Sequence, residues 1–431
     1  MKRRLTSLSD HLDYGWVIVF VGMISMAFWF GLRTTFSVFF VALIDQFHWG
    51  RAEAAGAQSM TLLAYTLTVP IIGALIDRVG PRKVVLPGIA LTGLGLLLCT
   101  QIRSLFHFYL FFGVIVGTGT VCLSITPYTI IITHWFEQKR GLANGLAGVG
   151  IGLGPLLFVP LCQYLINLKG WPFAYLVLGL ATLAIPLPLN AFFLKQRHGD
   201  TPDPVEGNPP VNSSGNSKEP FQPYPSWRRE PRLRDLLKTG RFWALILFPS
   251  LAAFTIYVVL VHHVRYLVDL GVDRFLVASL FAALGALSAG FRFFWGWLSD
   301  RIGREIAYTM GGICFCGGTL FLLLFQSIRS PSLVYLFSLF FGVGWGATAP
   351  MFMSISGDLY KGKNFGLIYG FIEAMIGIGG AVGAWGAGWI FDRTQSYTPA
   401  FFAAILSGIL STVLVWFVTP RKARRASTST K

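Results

Sequence analysis

Two arginines, one glutamate and a pair of histidines interrupt stretches that are otherwise apolar. Arg33 sits in Gly31-Leu32-Arg33-Thr34-Thr35 and Arg292 in Phe291-Arg292-Phe293-Phe294. An ionised guanidinium in apolar surroundings is costly unless it faces a cavity or a partner, and its planar fork matches a carboxylate through two parallel hydrogen bonds. At Arg292 either a bound anion or a permanent ion pair with a carboxylate of another helix meets that requirement. Arg33 could hold the same anion beside Thr34, Thr35 and Ser37, or could snorkel toward the nearest water. Glu373 is a carboxyl group deep in a second apolar stretch; it could carry a proton or serve as the structural partner of Arg292 or Arg33. His262, next to His263, titrates near neutrality and could relay protons, or could be a histidine at an interface with no such role. Tyr128, Tyr335, Trp345 and Tyr369 could line a cavity, though packing and lipid contact are the ordinary uses of an aromatic in such a chain.

The elements that must position these groups are apolar helices. Hydrophobic residues make up 54% of the 431 positions and charged residues 13%, with a mean hydropathy of +0.61. A water-soluble fold carries about 25% charged residues. The apolar runs reach the ~20 residues that a helix needs to cross a hydrocarbon core, and about twelve of them follow one another between residues 14 and 419. The fold class expected is therefore an all-α membrane protein with lipid as its main solvent.

A formal charge of +16 invites a nucleic-acid partner, but the distribution of the cations excludes it. Lys2, Arg3 and Arg4, then Arg78, Arg82 and Lys83, then Lys139 and Arg140 lie in alternate connections, as do the cations of 195–240, Arg301 with Arg304, and the tail. Such alternation is the positive-inside bias, and it places both termini in the cytoplasm. The segment 195–240 contains Pro202, Pro204, Pro209, Pro210, Pro220, Pro223 and Pro225 among polar residues, the composition of a flexible linker. Its end, around Leu236 and Leu237, could form a short helix on the membrane surface. The chain thus divides into a six-helix unit over 1–194, the linker 195–240, a second six-helix unit over 241–420 and a basic tail over 421–431. Cys99, Cys122, Cys162, Cys314 and Cys316 fall in apolar stretches without the spacing of a metal site or disulfide framework and are expected to pack.

One short pattern occurs once in each half. Gly73-Ala74-Leu75-Ile76-Asp77-Arg78-Val79-Gly80-Pro81-Arg82-Lys83 follows the second apolar run, and Gly296-Trp297-Leu298-Ser299-Asp300-Arg301-Ile302-Gly303-Arg304 follows the eighth. This resembles the loop signature of the major facilitator superfamily. The resemblance covers the whole chain and implies two pseudo-symmetric six-helix bundles, twelve transmembrane helices in all, with a substrate site between them at mid-membrane. It also implies that Asp77, Arg78, Asp300 and Arg301 act in gating the cytoplasmic ends; the alternative is that they only fix topology.

Finer features resemble the monocarboxylate transporter branch and its bacterial relatives, including the oxalate:formate antiporter. They are Asp13-Tyr14-Gly15-Trp16 with Arg33 after it, Trp135-Phe136-Glu137-Gln138-Lys139-Arg140-Gly141, and Arg292-Phe293-Phe294-Trp295-Gly296. The resemblance implies that Arg292 binds a substrate carboxylate, with Arg33, Tyr128 and Tyr369 as further substrate-site candidates and Glu373 and His262 as proton-coupling candidates. Two departures narrow it. The proton-coupling aspartate of the animal carriers is replaced by Ser288, and the lysine with which the antiporter grips a dicarboxylate is replaced by Ile372.

The function expected is secondary active transport of a small organic anion, a monocarboxylate resembling lactate or pyruvate, by alternating access, with proton symport as a candidate coupling. The alternatives are exchange of dicarboxylate against monocarboxylate and export of a larger organic acid. No P-loop, HExxH or nucleophile–base constellation points to an enzyme. No cofactor, metal or nucleic acid is expected. The partners are the anion, protons and membrane lipid, around a monomer in the cell inner membrane.

Overall fold

The computed structural model describes residues 2–136, 140–194, 238–359 and 365–419, and among these every regular element is a helix. The first half opens with α1 (Lys2–Thr34) and α2 (Phe36–Phe47), one apolar run bent at Thr35, followed by α3 (Arg51–Val79) and α4 (Pro81–Cys99). The next run passes through α5 (Leu105–Phe108), a π-helical stretch (Tyr109–Val116), α6 (Gly117–Gly119) and a 3-10 turn (Thr120–Leu123) into α7 (Ile125–Trp135). α8 (Arg140–Ala184) and α9 (Pro186–Phe193) complete this half. The second half contains α10 (Gly240–Asp269), α11 (Arg274–Ile302), α12 (Arg304–Ile328), α13 (Pro331–Gly346), α14 (Thr348–Leu359), α15 (Phe365–Thr394) and α16 (Thr398–Val418). Most of the linker, residues 195–237, lies outside the described residues, as does the tail beyond 419.

Helices are the only economical answer to this sequence. Without water to satisfy backbone N–H and C=O groups, a single segment can pair them internally only as a helix. The outer surface agrees, because large apolar side chains stand out from it: Phe192 is 74% exposed, Leu67 72% and Phe417 70%. Hydrocarbon is the medium in which such a surface is stable. Eleven helices among the described residues are long and apolar enough to cross a membrane. The difference from the expected twelve lies in one run of 51 residues, Ala143–Phe193, whose backbone leaves helical geometry at Lys169 and at Gly170, where φ is +81°. A continuous helix of that length would extend about 77 Å at ~1.5 Å per residue, more than twice the ~30 Å hydrocarbon core.

The internal repeat is visible in the backbone. Gly80, after α3, has φ 87° and ψ 152°, while Gly303, after α11, has φ 110° and ψ 150°. Each glycine donates its N–H to the carbonyl four residues earlier, Ile76 or Ser299, at 3.0 Å. A side chain at such positive φ is strained, so the glycine of the repeated sequence pattern is what permits the abrupt turn into the next helix.

Close helix packing depends on small residues, as expected where lipid supplies no hydrophobic drive between helices. α8 lies so tightly on α1 that a Cβ at Gly154 would meet the Ala27 carbonyl oxygen at 2.5 Å and the Gly31 nitrogen at 2.6 Å. The two halves meet chiefly where α3 packs on α15, α8 on α11 and α2 on α10. Along that seam the helices are interrupted, at Thr35, at Ser124 with its extended backbone, and at Ala347 between α13 and α14. Gly154→Leu should lower thermal stability in detergent by an amount matching overpacking, about 1–3 kcal/mol. Gly148→Leu, where a Cβ meets nothing within 4 Å, should leave the melting temperature nearly unchanged.

Candidate functional site

Arg33 is the penultimate residue of α1, immediately before the bend. The neighbouring hydroxyls create that bend and do not point to a ligand. Thr34 donates to the carbonyls of Phe30 and Gly31 at 2.9 and 3.0 Å, Thr35 to Leu32 at 2.8 Å, and Ser37 to Thr34 at 3.1 Å. Such back-bonding satisfies the hydroxyls on their own helix and favours bending. Thr34 and Ser37 border a recess beside Arg33, but their protons are already committed to the backbone.

The guanidinium is held between two tyrosines. Its central carbon lies 5.3 Å from the ring centroid of Tyr65 on α3 and 5.3 Å from that of Tyr257 on α10. Aromatic faces stabilise a cation without neutralising it, and the Tyr257 oxygen also accepts a hydrogen bond from the guanidinium. Arg33 Nε is buried and has no hydrogen-bond partner. Two recesses adjoin the side chain. One is bounded by Phe30 and Gln58 from the first half and by Tyr257, Leu260, Val261 and Phe281 from the second. The other lies within the first half against Trp29, Thr61, Tyr65 and Thr120. Trp29 Nε1 and Gln58 Oε1, one on each recess, are also buried without a partner. Both tyrosines lie within electrostatic range of Glu373 on α15. The seam therefore assembles a cation, a carboxylate and polar groups with unused hydrogen-bonding capacity, drawn from α1, α3, α10 and α15.

The other site candidates fall elsewhere. Arg292, on α11, is partly buried and its Nε lacks a partner, but it lines neither recess. One turn earlier, Ser288 is buried with its hydroxyl unpartnered. Tyr128 is fully buried inside the first half, where its hydroxyl donates to Asn190 at 2.8 Å and Asn190 donates to Ser25 at 3.0 Å; it borders neither recess. The side chain of Tyr369 lies outside the described residues. Trp345, by contrast, reaches across the seam to within 5.7 Å of the Phe30 ring. Tyr335 is 53% exposed on the outer surface.

At one end of the seam the halves are tied together by charge. Arg51 on α3 pairs with Asp269 on α10 at 2.5 Å, and Arg265, also on α10, pairs with Asp45 of α2 and with Asp269 at 2.9 Å. Arg274 adds a second contact to Asp45 at 2.7 Å. Asp392 of α15 accepts from the backbone N–H groups of both Arg51 and Ala52 at 2.8 Å, capping α3 from the opposite half. A carboxylate there meets the unsatisfied donors and the positive end of the helix dipole. Beneath this network His262 is fully buried, its Nε2 2.8 Å from the Ala384 carbonyl and its Nδ1 3.1 Å from the Tyr397 hydroxyl. A carbonyl can only accept, so Nε2 carries the proton and both ring nitrogens are engaged.

The repeated loops lie at the far end. Asp300 pairs with Arg304 at 2.6 Å, Arg304 reaches Asp358 at 3.3 Å, and Arg301 packs over Trp297 at 4.1 Å, all within the second half. Arg78 is exposed, and the Asp77 side chain lies outside the described residues.

Of the residues gathered here the sequence singled out Arg33 and Glu373 but not Trp29, Gln58, Tyr65 and Tyr257. A signal existed for two of them. Gln58, Thr61 and Tyr65 recur at i, i+3 and i+7, which places polar groups in a stripe on one face of an otherwise apolar helix.

Comparison with known proteins follows the same lines. A family model described as Major Facilitator Superfamily matches residues 18–360 and 266–431. The chain is 29% identical over 412 residues to monocarboxylate transporter 13 of Bos taurus, covering 94% of this chain and 90% of that protein. It is 26% identical over 419 residues to monocarboxylate transporter 2 of Homo sapiens, covering 94% and 85%. Among solved structures it resembles a bacterial homolog of the human lysosomal transporter Spinster in an inward-facing, unoccupied conformation, with a TM-score of 0.68 at 16% identity, covering 94% and 95%.

The charged end makes a distance prediction. Asp45→Asn combined with Asp269→Asn leaves Arg265 and Arg274 without the carboxylates they now contact. Spin labels at Arg103 and Gln395, exposed positions on the two halves, should then report a longer distance by double electron–electron resonance; an unaltered distribution would mean that the ion pairs do not hold this end shut.

Proposed function

The chain belongs to the Major Facilitator Superfamily and is a membrane transporter, not an enzyme, and we propose that its substrate is a small monocarboxylate moved by alternating access across a cytoplasmic membrane. The observation that carries this reading is Arg33: a guanidinium with an unpartnered Nε, sandwiched by tyrosines, in a recess walled by both halves. A carboxylate bound there would engage the N–H fork, neutralise the buried charge and lower the cost of closing the halves around it. Arg292 is assigned a second carboxylate contact along the same path. The relatives carrying the monocarboxylate transporter name support the substrate class.

A monocarboxylate is favoured over a diacid. The position that would supply a second cation is Ile372, which is apolar and fully buried. The adjacent Glu373 supplies no cation for a second carboxylate, and before it takes up a proton its like charge repels one. Glu373 is assigned the proton, which lets the carboxyl pass through the membrane interior neutral once the anion is bound. His262 is less suited, since both its nitrogens are engaged within the second half. We assign the Asp45 end to the outside and the Asp300 end to the cytoplasm, following the cations clustered beside Asp77 and Asp300. In this arrangement the ion pairs close the outer end.

The test is uptake of labelled 2-hydroxypropanoate, pyruvate, acetate and oxalate into proteoliposomes, with and without an inward proton gradient. Loss of one partner of a buried charge interaction costs about 2–5 kcal/mol, so Arg33→Ala should reduce monocarboxylate uptake more than about thirtyfold, with Arg292→Ala also impaired. Glu373→Gln should abolish the response to the proton gradient. Oxalate carried as well as the monoacids, or full activity in Arg33→Ala, would defeat the proposal.

A further inference from the structure

Gln58 is a buried carboxamide in a position where an apolar residue would pack equally well. It is 2% exposed, its oxygen has no hydrogen-bond partner, and it borders the same recess as Arg33. A buried acceptor left without a donor is unfavourable, so such a group implies a partner that comes and goes. The protein offers little to fill the role. Thr34 and Ser37 also border the recess, but their hydroxyl protons are spent on backbone carbonyls. From the opposite half Leu260, Val261 and Phe281 supply apolar surface and Tyr257 a hydroxyl engaged with Arg33, while the donors of Arg33 itself go to the carboxylate in this reading.

We propose that Gln58 is a specificity-determining residue whose amide oxygen accepts a hydrogen bond from a donor on the carbon chain of the substrate acid. The proposal rests on the carboxylate reading of Arg33. With the carboxylate on the guanidinium, a hydroxyl on the short chain is presented to Gln58 and the rest of the chain meets the apolar wall. The preferred class is then short hydroxy acids over unsubstituted acids of equal length. The discrimination has a physical source, because an analogue without the hydroxyl leaves a buried polar group unpaired.

The measurement is the ratio of proteoliposome uptake rates for 2-hydroxypropanoate and propanoate, at concentrations well below saturation. Wild type should favour the hydroxy acid by about tenfold or more, the discrimination of one well-placed hydrogen bond. Gln58→Met, close in shape but without the amide, should bring the ratio to near one, and Gln58→Asn should fall between. An unchanged ratio in Gln58→Met overturns the proposal. If that variant is not recovered folded, competition on wild type decides: 2-methoxypropanoate, which accepts but cannot donate, should inhibit no better than propanoate. Inhibition equal to that by 2-hydroxypropanoate overturns the role of Gln58. Uptake of neither anion by wild type instead defeats the monocarboxylate reading, and this is distinguishable because it is seen before any Gln58 variant is made.

Discussion

A cation inside a hydrocarbon slab must find something to balance it, and the architecture around Arg33 is organised by that requirement. The residue sits where α1 ends, in the seam, between two aromatic faces that soften the cost of its charge, and of its donors Nε is left without a partner. A permanent bidentate salt bridge would satisfy the guanidinium and leave it with no use. Here Tyr257 takes one hydrogen bond from the guanidinium and Nε is left without a partner, and Glu373 lies close enough to influence both rings. The proposed transport would use this arrangement: a charge tolerable when empty, better satisfied by a bound anion, and placed where both halves meet.

The charged end of the seam solves a different problem. There three arginines and three aspartates of opposite halves are drawn together, and one aspartate caps the helix that carries Arg51. These groups balance one another without a ligand, so they can hold one conformation but do not select a substrate. Each pair is accessible enough that water and salt compete with it, as the proposed opening of this end requires. The far end, with Asp300 and Arg304 paired inside a single half, has the charges for a second latch that the described residues leave undone.

The large-scale fold was legible because hydrocarbon imposes one rule on every segment, and because the glycine turn at Gly80 is repeated at Gly303 in both sequence and dihedral angles. Arg33 and Arg292 were legible for the same reason, as ionised groups in apolar runs are conspicuous. Polar but uncharged groups were not. Gln58 belongs to a weak polar stripe with Thr61 and Tyr65, Tyr257 looks like an ordinary span residue until the two halves are brought together, and no local pattern relates Asp45 to Arg265 or Arg274. What the neighbours of Arg33 do was not legible either: Thr34, Thr35 and Ser37 stand beside it but spend their protons on the backbone. Tyr128, read as a cavity residue, belongs to a buried hydrogen-bond chain with Asn190 and Ser25. The count of eleven arises because Ala143–Phe193, which the sequence divides into two spans, is one helical run interrupted only by the tight break at Lys169 and Gly170.

The claim that Arg33 recognises a negative charge in the seam is tested most directly by equilibrium binding to the purified protein, without transport. Trp29 and Trp345 lie on or beside the seam, so their fluorescence should report occupancy. Titration with 2-hydroxypropanoate should give a saturable change that its neutral amide, of the same shape, fails to produce, and Arg33→Gln should lose the response to the acid. Equal responses to acid and amide, or undiminished binding of the acid by Arg33→Gln, would contradict the account.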